Sequence, residues 1–354
     1  MKRSDTARGT PLWRAEPGRR PRSISISIAP IGTGIGDLLV SLPALQGSID
    51  AGFRTYLRPL SAVQVEIAAR VAGLQGIDSQ TGGPRRVPRP VVVRLRDHPL
   101  QSEFWWGSPE FESRYGAIGI DEIVSRIAAD LGLPPPVPDR LVPLRAGRAP
   151  DPSLRRTILL LPSSDAGYKL WSSARWIELA RMLAGGATAP PSARGVAPRG
   201  APRQVAVVGP GDRREVTALR ERGIPWLETP AIGDAIDALS SCAGVVSVDS
   251  GLFHIAVQQG RPAVGLFRRP SLFRRSAPLA RNCVAAACDP ACLSRDFARA
   301  ARGREVEPAS PGDGLAPDEP PASVWRCERL EEERCMAGIT VAQVLDALHD
   351  LDLW

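Results

Sequence analysis

Polar and apolar residues alternate strictly from Ser23 to Ile28, the pattern of a half-buried strand. A glycine-bearing turn follows, Ala29 to Ile35. From Gly36 to Asp50 the apolar positions Leu38, Leu39, Leu42, Leu45 and Ile49 recur at helical spacing. A strand, a Gly-rich turn and a helix form the opening unit of a Rossmann-like α/β domain. The same reading predicts a helix over 62–72, a buried strand over 91–95 and a helix over 120–131. Leu133-Pro134-Pro135-Pro136 stops that last helix. Residues 136–152 read as a linker. A second series then begins, with strands at 157–161, 204–208, 245–248 and 262–267. Helices are predicted at 173–183, at 232–242, from Asp212 through Arg222, and from Asp249 through Gln259. Alternating strands and helices argue for mostly parallel sheets, and two series argue for two facing domains. The expected bounds are a disordered tail over 1–22, one domain over 23–140 and another over 151–350. Flexible inserts are expected at 185–203 and 299–322.

Composition changes this picture little. The chain has 354 residues, of which 43% are hydrophobic and 23% charged, as in an ordinary folded protein. Its 35 Pro and 33 Gly cluster in the expected inserts. The net charge of +7 is carried mostly by Arg, much of it in 2–22, 194–203 and 295–304. No basic helix with interleaved aromatics supports nucleic-acid binding. A run of ~20 apolar residues is missing, as is a secretory core, so a cytoplasmic protein is expected. The six cysteines are then thiols or metal ligands rather than disulfides.

Four constellations carry candidate chemistry. In the first, the strand Val245 to Val248 ends in Asp249-Ser250-Gly251 and opens into a helix bearing Leu252 and His254. Free amides at a helix N-terminus suit a pyrophosphate, and Asp249 can accept hydrogen bonds from sugar hydroxyls. The bland alternative is an N-cap beside a core histidine. The second joins Ser163 and Ser164 to Lys169, Trp171 and Trp176, and a lysine there can neutralise a leaving diphosphate. Its alternative is a solvated lysine beside a packing tryptophan. In the third, Gly32-Thr33-Gly34-Ile35-Gly36 precedes Asp37, which can deprotonate an attacking hydroxyl or simply cap its helix. Gly209-Pro210-Gly211-Asp212 adds a turn at a neighbouring strand end. Fourth come the weak metal candidates Cys288, Cys292, Cys327 and Cys335, whose spacing is not that of a zinc site; Cys242 reads as core.

In this order the motifs resemble glycosyltransferase family 9, the heptosyltransferases of lipopolysaccharide synthesis. The resemblance spans roughly residues 23–350. It rests on Ile35 to Leu45, on Lys169-Leu170-Trp171 with Trp176, and on Gly209 to Asp212. Asp249 to His254 with Gly260-Arg261-Pro262, and Cys335 to Thr340, complete it. It implies a GT-B fold and inverting, metal-independent transfer without a cofactor. The donor would be a nucleotide sugar, typically ADP-heptose. The acceptor would be a cell-envelope glycan or lipid-linked molecule at the inner face of the membrane. Asp37 looks like the family's base, Lys169 and Ser164 like its phosphate contacts, and Asp249, Ser250, Gly251, Leu252 and His254 like its donor loop. Ile232 falls where the family packs an apolar side chain on the nucleobase. The residues alone leave two alternatives: a nucleotide-binding protein that keeps the fold without transfer, and, more weakly, an NAD-dependent enzyme.

Overall fold

A computed structural model describes residues 24–78, 90–98, 118–135, 143–164, 169–185, 204–267, 274–285 and 334–354. The expected tail, the 299–322 insert and all of the 185–203 insert but Gly185 lie outside these residues. Within the first half, in chain order, come β1 (Ser25–Ala29), α1 (Ile35–Asp50), β2 (Arg54–Leu57), α2 (Ala62–Ala68), β3 (Gly76–Ile77), β4 (Val91–Arg94) and α3 (Ile120–Asp130). The second half holds β5 (Thr157–Leu161), α4 (Ser173–Leu183), β6 (Gln204–Val208), α5 (Arg214–Arg220), β7 (Trp226–Leu227), α6 (Ile232–Ser241), β8 (Gly244–Val248), α7 (Gly251–Gln258), β9 (Ala263–Phe267) and β10 (Ala280–Val284). Two more helices, α8 (Arg334–Ala337) and α9 (Val341–His349), close it.

The expected elements are present with shifted ends. Helix α2 stops at Ala68, four residues early, because Arg70 and Val71 already bond the carbonyls of Ile67 and Ala68 in tighter turns. Val71 then bridges Leu144 of the expected linker. Asp249 and Ser250 precede α7 rather than forming part of it. Strands β2, β3, β7 and β10 and helices α8 and α9 add to the elements read from the pattern.

Every strand pair among the described residues is parallel. The first sheet runs β3-β2-β1-β4 and the second β10-β9-β8-β5-β6-β7. In the second sheet the chain starts in the middle, builds outward through β6 and β7, then returns to build the other side through β8, β9 and β10. That is the strand order of a dinucleotide-binding sheet, with its switch point between β5 and β8. The first sheet repeats the scheme in four strands, with its switch point between β1 and β4. Both architectures are α/β and together make the GT-B arrangement. Parallel strands covered on both faces must be apolar throughout. β5 and β8 are accordingly buried at every position.

The halves share a core. Ile28, Leu38, Leu42 and Leu45 of the first pack in one cluster with Phe253, Val257 and Leu239 of the second. A separate cluster on the far side of the second sheet holds Trp171 and Trp176, with Val344, Leu345 and Leu348 of α9. The two tryptophan rings meet edge to face at 5.1 Å.

Candidate active site

The two switch points face each other across the seam between the halves. The first turns of α1 and α7 touch there. A Cβ at Gly251 would sit 2.8 Å from the Ile35 Cβ, and one at Gly36 would sit 3.2 Å from the His254 Cδ2. A methyl group has no room at Gly251, and at Gly36 it would press on the His254 ring, because two helix ends approach closely here. Two sets of unbonded helix amides therefore open at one seam, where anionic groups are favoured.

On the second side, Lys169 follows β5 and Asp249 follows β8. Their side chains meet at 2.9 Å (Nζ to Oδ2), with Asp249 buried and Lys169 partly exposed. The other oxygen of Asp249 lies 3.9 Å from Nε2 of His254, on α7. His254 is wholly buried, and burial, with the charges of Arg275 and Lys169 behind it, drives its pKa well below 6.5. The Ser164 hydroxyl reaches the Asp249 carbonyl at 3.5 Å. Ser250 meets the Ser247 hydroxyl at 3.1 Å. The Ser163 hydroxyl is turned beneath Gly209, 3.2 Å from where a Cβ there would lie; it is buried without a hydrogen-bond partner among the described residues. Leu252 is half-buried beside Gly251 at the start of α7.

On the first side, Asp37 occupies the first turn of α1 and accepts the Gly34 amide at 3.0 Å. The cap alternative is thus realised. It leaves Asp37 half-buried, next in sequence to the glycine that faces His254. Ser41 holds the turn by accepting the Ile31 amide and donating to the Asp37 carbonyl. Gln64, fully buried on α2, donates to the carbonyls of Gly32 and Gly34 at 2.8 Å each.

Some expected residues stand apart. Asp212 is exposed beyond Gly211, and Ile232 is half-buried at the start of α6 against the shared core. No described contact ties either to the Lys169–Asp249–His254 group. A cavity of about 410 Å3 opens near Ile232, lined by Arg70, Arg148, Ala231, Gly233 and Asp234 among others. Cys288, Cys292 and Cys327 and the side chain of Cys335 lie outside the described residues. Cys242 is core, as expected, its thiol pushed up to about 12 by burial. Among the described residues no group of three or more metal-ligating side chains occurs, and no described helix is long and apolar enough to cross a membrane.

The sequence pattern missed Arg275, Asp121, Gln258 and Gln64. Arg275 is fully buried; its Nε lies 2.7 Å from the Asp121 carboxylate on α3, and it donates to Gln258 of α7 at 3.2 Å. Only the spacing of Gln258, one turn beyond His254, carried a signal.

Comparison with known proteins bears on the fold and on one segment of the second half. Residues 230–296 match the model of glycosyltransferase family 9 (heptosyltransferase). No curated protein matches the chain by sequence. Among solved structures, E. coli heptosyltransferase WaaC with ADP-2-deoxy-2-fluoro heptose superposes with a TM-score of 0.53 at 14% identity, covering 74% of this chain and 94% of that one. A family 9 glycosyl transferase from Veillonella parvula gives 0.57 at 12% identity, covering 94% and 98%. The iron-containing dodecameric glycosyltransferase TibC of enterotoxigenic E. coli gives 0.55 at 14%, covering 94% and 77%. The fold is that of the GT-B glycosyltransferases. Over the segment that carries α6 to β10, the chain is similar to glycosyltransferase family 9.

Proposed function

We propose that the chain transfers a sugar, with inversion, from a nucleoside diphosphate donor to a cell-envelope acceptor, and that the donor is ADP-heptose. The observation that carries this is the meeting of two switch points. Asp37 stands on one side and the Lys169–Asp249–His254 group on the other. The family match and the ADP-2-deoxy-2-fluoro heptose held by WaaC support the choice of donor. The donor diphosphate sits over the α7 N-terminus, where Ser250, Gly251 and Leu252 offer backbone amides. Ser163, Ser164, Gly209 and Asp212 shape the wall at the β5 and β6 ends, and Ile232 packs on the nucleobase.

The acceptor hydroxyl attacks the anomeric carbon from the α1 side. Asp37 takes its proton while the carbon–oxygen bond to the diphosphate breaks. One displacement inverts the centre. The leaving group's charge is met by Lys169 and the α7 dipole, so the cleft chemistry runs without a divalent metal. The Lys169–Asp249 pair keeps the lysine in place before the donor arrives. Turning it toward phosphate leaves Asp249 able to accept hydrogen bonds from sugar hydroxyls.

The test is Asp37→Ala assayed with ADP-heptose and extracted envelope acceptors. Transfer is expected to fall by about a thousandfold or more while ADP binding stays within a few-fold. Full turnover by that variant would remove Asp37 as the base. Tight nucleotide binding by the unmodified chain, with no transfer from any nucleotide sugar, would favour a binding protein instead.

A further inference from the structure

A buried guanidinium costs several kcal/mol unless its donors are met. Arg275 has no exposed side-chain surface, and its donors are met from both halves of the molecule. Nε faces Asp121, in the first turn of α3, which also accepts the Ser276 amide at 3.3 Å. One terminal nitrogen donates to Gln258. The other lies 3.4 Å from Nδ1 of His254.

That last contact decides a proton. A guanidinium has donors only, so Nδ1 must present its lone pair. The imidazole then carries its single hydrogen on Nε2, and the charged form has no place for its second proton. Nε2 lies on the seam side of the ring, 3.9 Å from Asp249 Oδ1 and 3.5 Å from where a Cβ of Gly36 would stand. The charged groups facing the ring are Arg275 on one side and Asp249 with Lys169 on the other.

We infer that Arg275, anchored by Asp121 across the seam, is a positioning residue that fixes His254 as the neutral Nε2–H tautomer, with that N–H directed at the diphosphate site. His254 is thereby a hydrogen-bond donor to a phosphate oxygen and not a proton-transfer group. The ligand in this statement rests on the donor site proposed above; the tautomer does not.

The test is nitrogen NMR of the ligand-free chain labelled at histidine. The chain has three histidines, and loss of a signal in His254→Gln assigns the ring. The expected spectrum shows Nδ1 bare and Nε2 protonated, unchanged from pH 8 to 5.5. Arg275→Met is expected to give a mixed or titrating ring and transfer slowed by about tenfold or more. Arg275→Lys, which keeps a donor-only cation, is expected to restore the wild-type pattern in part, and Asp121→Asn to loosen it. A wild-type ring protonated at Nδ1, or an Arg275→Met ring unchanged, overturns the assignment. Should Arg275→Met not fold, the wild-type spectrum and Asp121→Asn decide. Added ADP is expected to shift Nε2. ADP that binds without shifting it removes the phosphate as partner, while a correct tautomer without transfer sinks the enzyme reading and leaves Arg275 in its role.

Discussion

At the residue scale, a burial explains each of the sharpest constraints. The imidazole of His254 is held neutral, so folding excludes a proton that the unfolded chain binds below about pH 6.5. The native state then holds fewer protons, and stability falls as pH drops below that value, by up to about 1.4 kcal/mol per pH unit. Urea titrations at pH 7 and 5.5 should show it, and His254→Gln should flatten the difference. Gly36→Ala puts a methyl 3.2 Å from the same ring. Helix propensity keeps its stability within about 1 kcal/mol, but a displaced ring is expected to slow transfer about tenfold. Asp249, Lys169 and His254 are legible in the sequence because a strand end and a helix start frame them. Arg275 is not, since it stands beside Arg274 in an arginine-rich stretch where nothing local separates a buried guanidinium from a solvated one.

At the element scale, what decides legibility is length. β1, β5 and β8 carry five residues each of alternating or continuous apolar pattern and read directly. β3 and β7 have two residues each, too few for any period, and are made by pairing with β2 and β6. β10 is half-buried along most of its length and mixes Arg and Asn with Val, as an edge strand can. α9 is different: Thr340 and Gln343 form a capping box before Val344, Leu345 and Leu348, a signal present in the sequence and readable there. The glycine turn before α1 is held from outside, by α2. Gln64→Leu would strip two carbonyls of Gln64's amide and take the acceptor from the Leu60 amide, at a cost of roughly 1–3 kcal/mol. The freed turn should raise Asp37-dependent losses in kcat more than in donor KM, which steady-state kinetics would separate.

At the scale of the whole molecule, two sheets with related strand order place their switch points together, which no single motif could reveal. Among the described residues the halves are tied by the shared core, by the Arg275–Asp121 contact and by a charged clasp. In the clasp, Arg70, in the turn after α2, meets Asp237 of α6 at 2.7 Å, Asp237 accepts the Gly147 amide, and Arg148 meets Asp234 at 2.9 Å. Arg70→Ala should lower stability by only about 1 kcal/mol, since both partners keep some solvent. It should, however, widen the scattering profile by loosening one half against the other. The contact of Ile35 with Gly251 lies beside the reacting groups, so it can act as the pin of a pair of shears. Turning the halves about a pin there would swing the outer rims through a large arc and barely change the gap at the pin. In the proposed transfer reaction, such a pin would let the rims open for an acceptor while Asp37 and the Lys169–Asp249–His254 group keep their spacing.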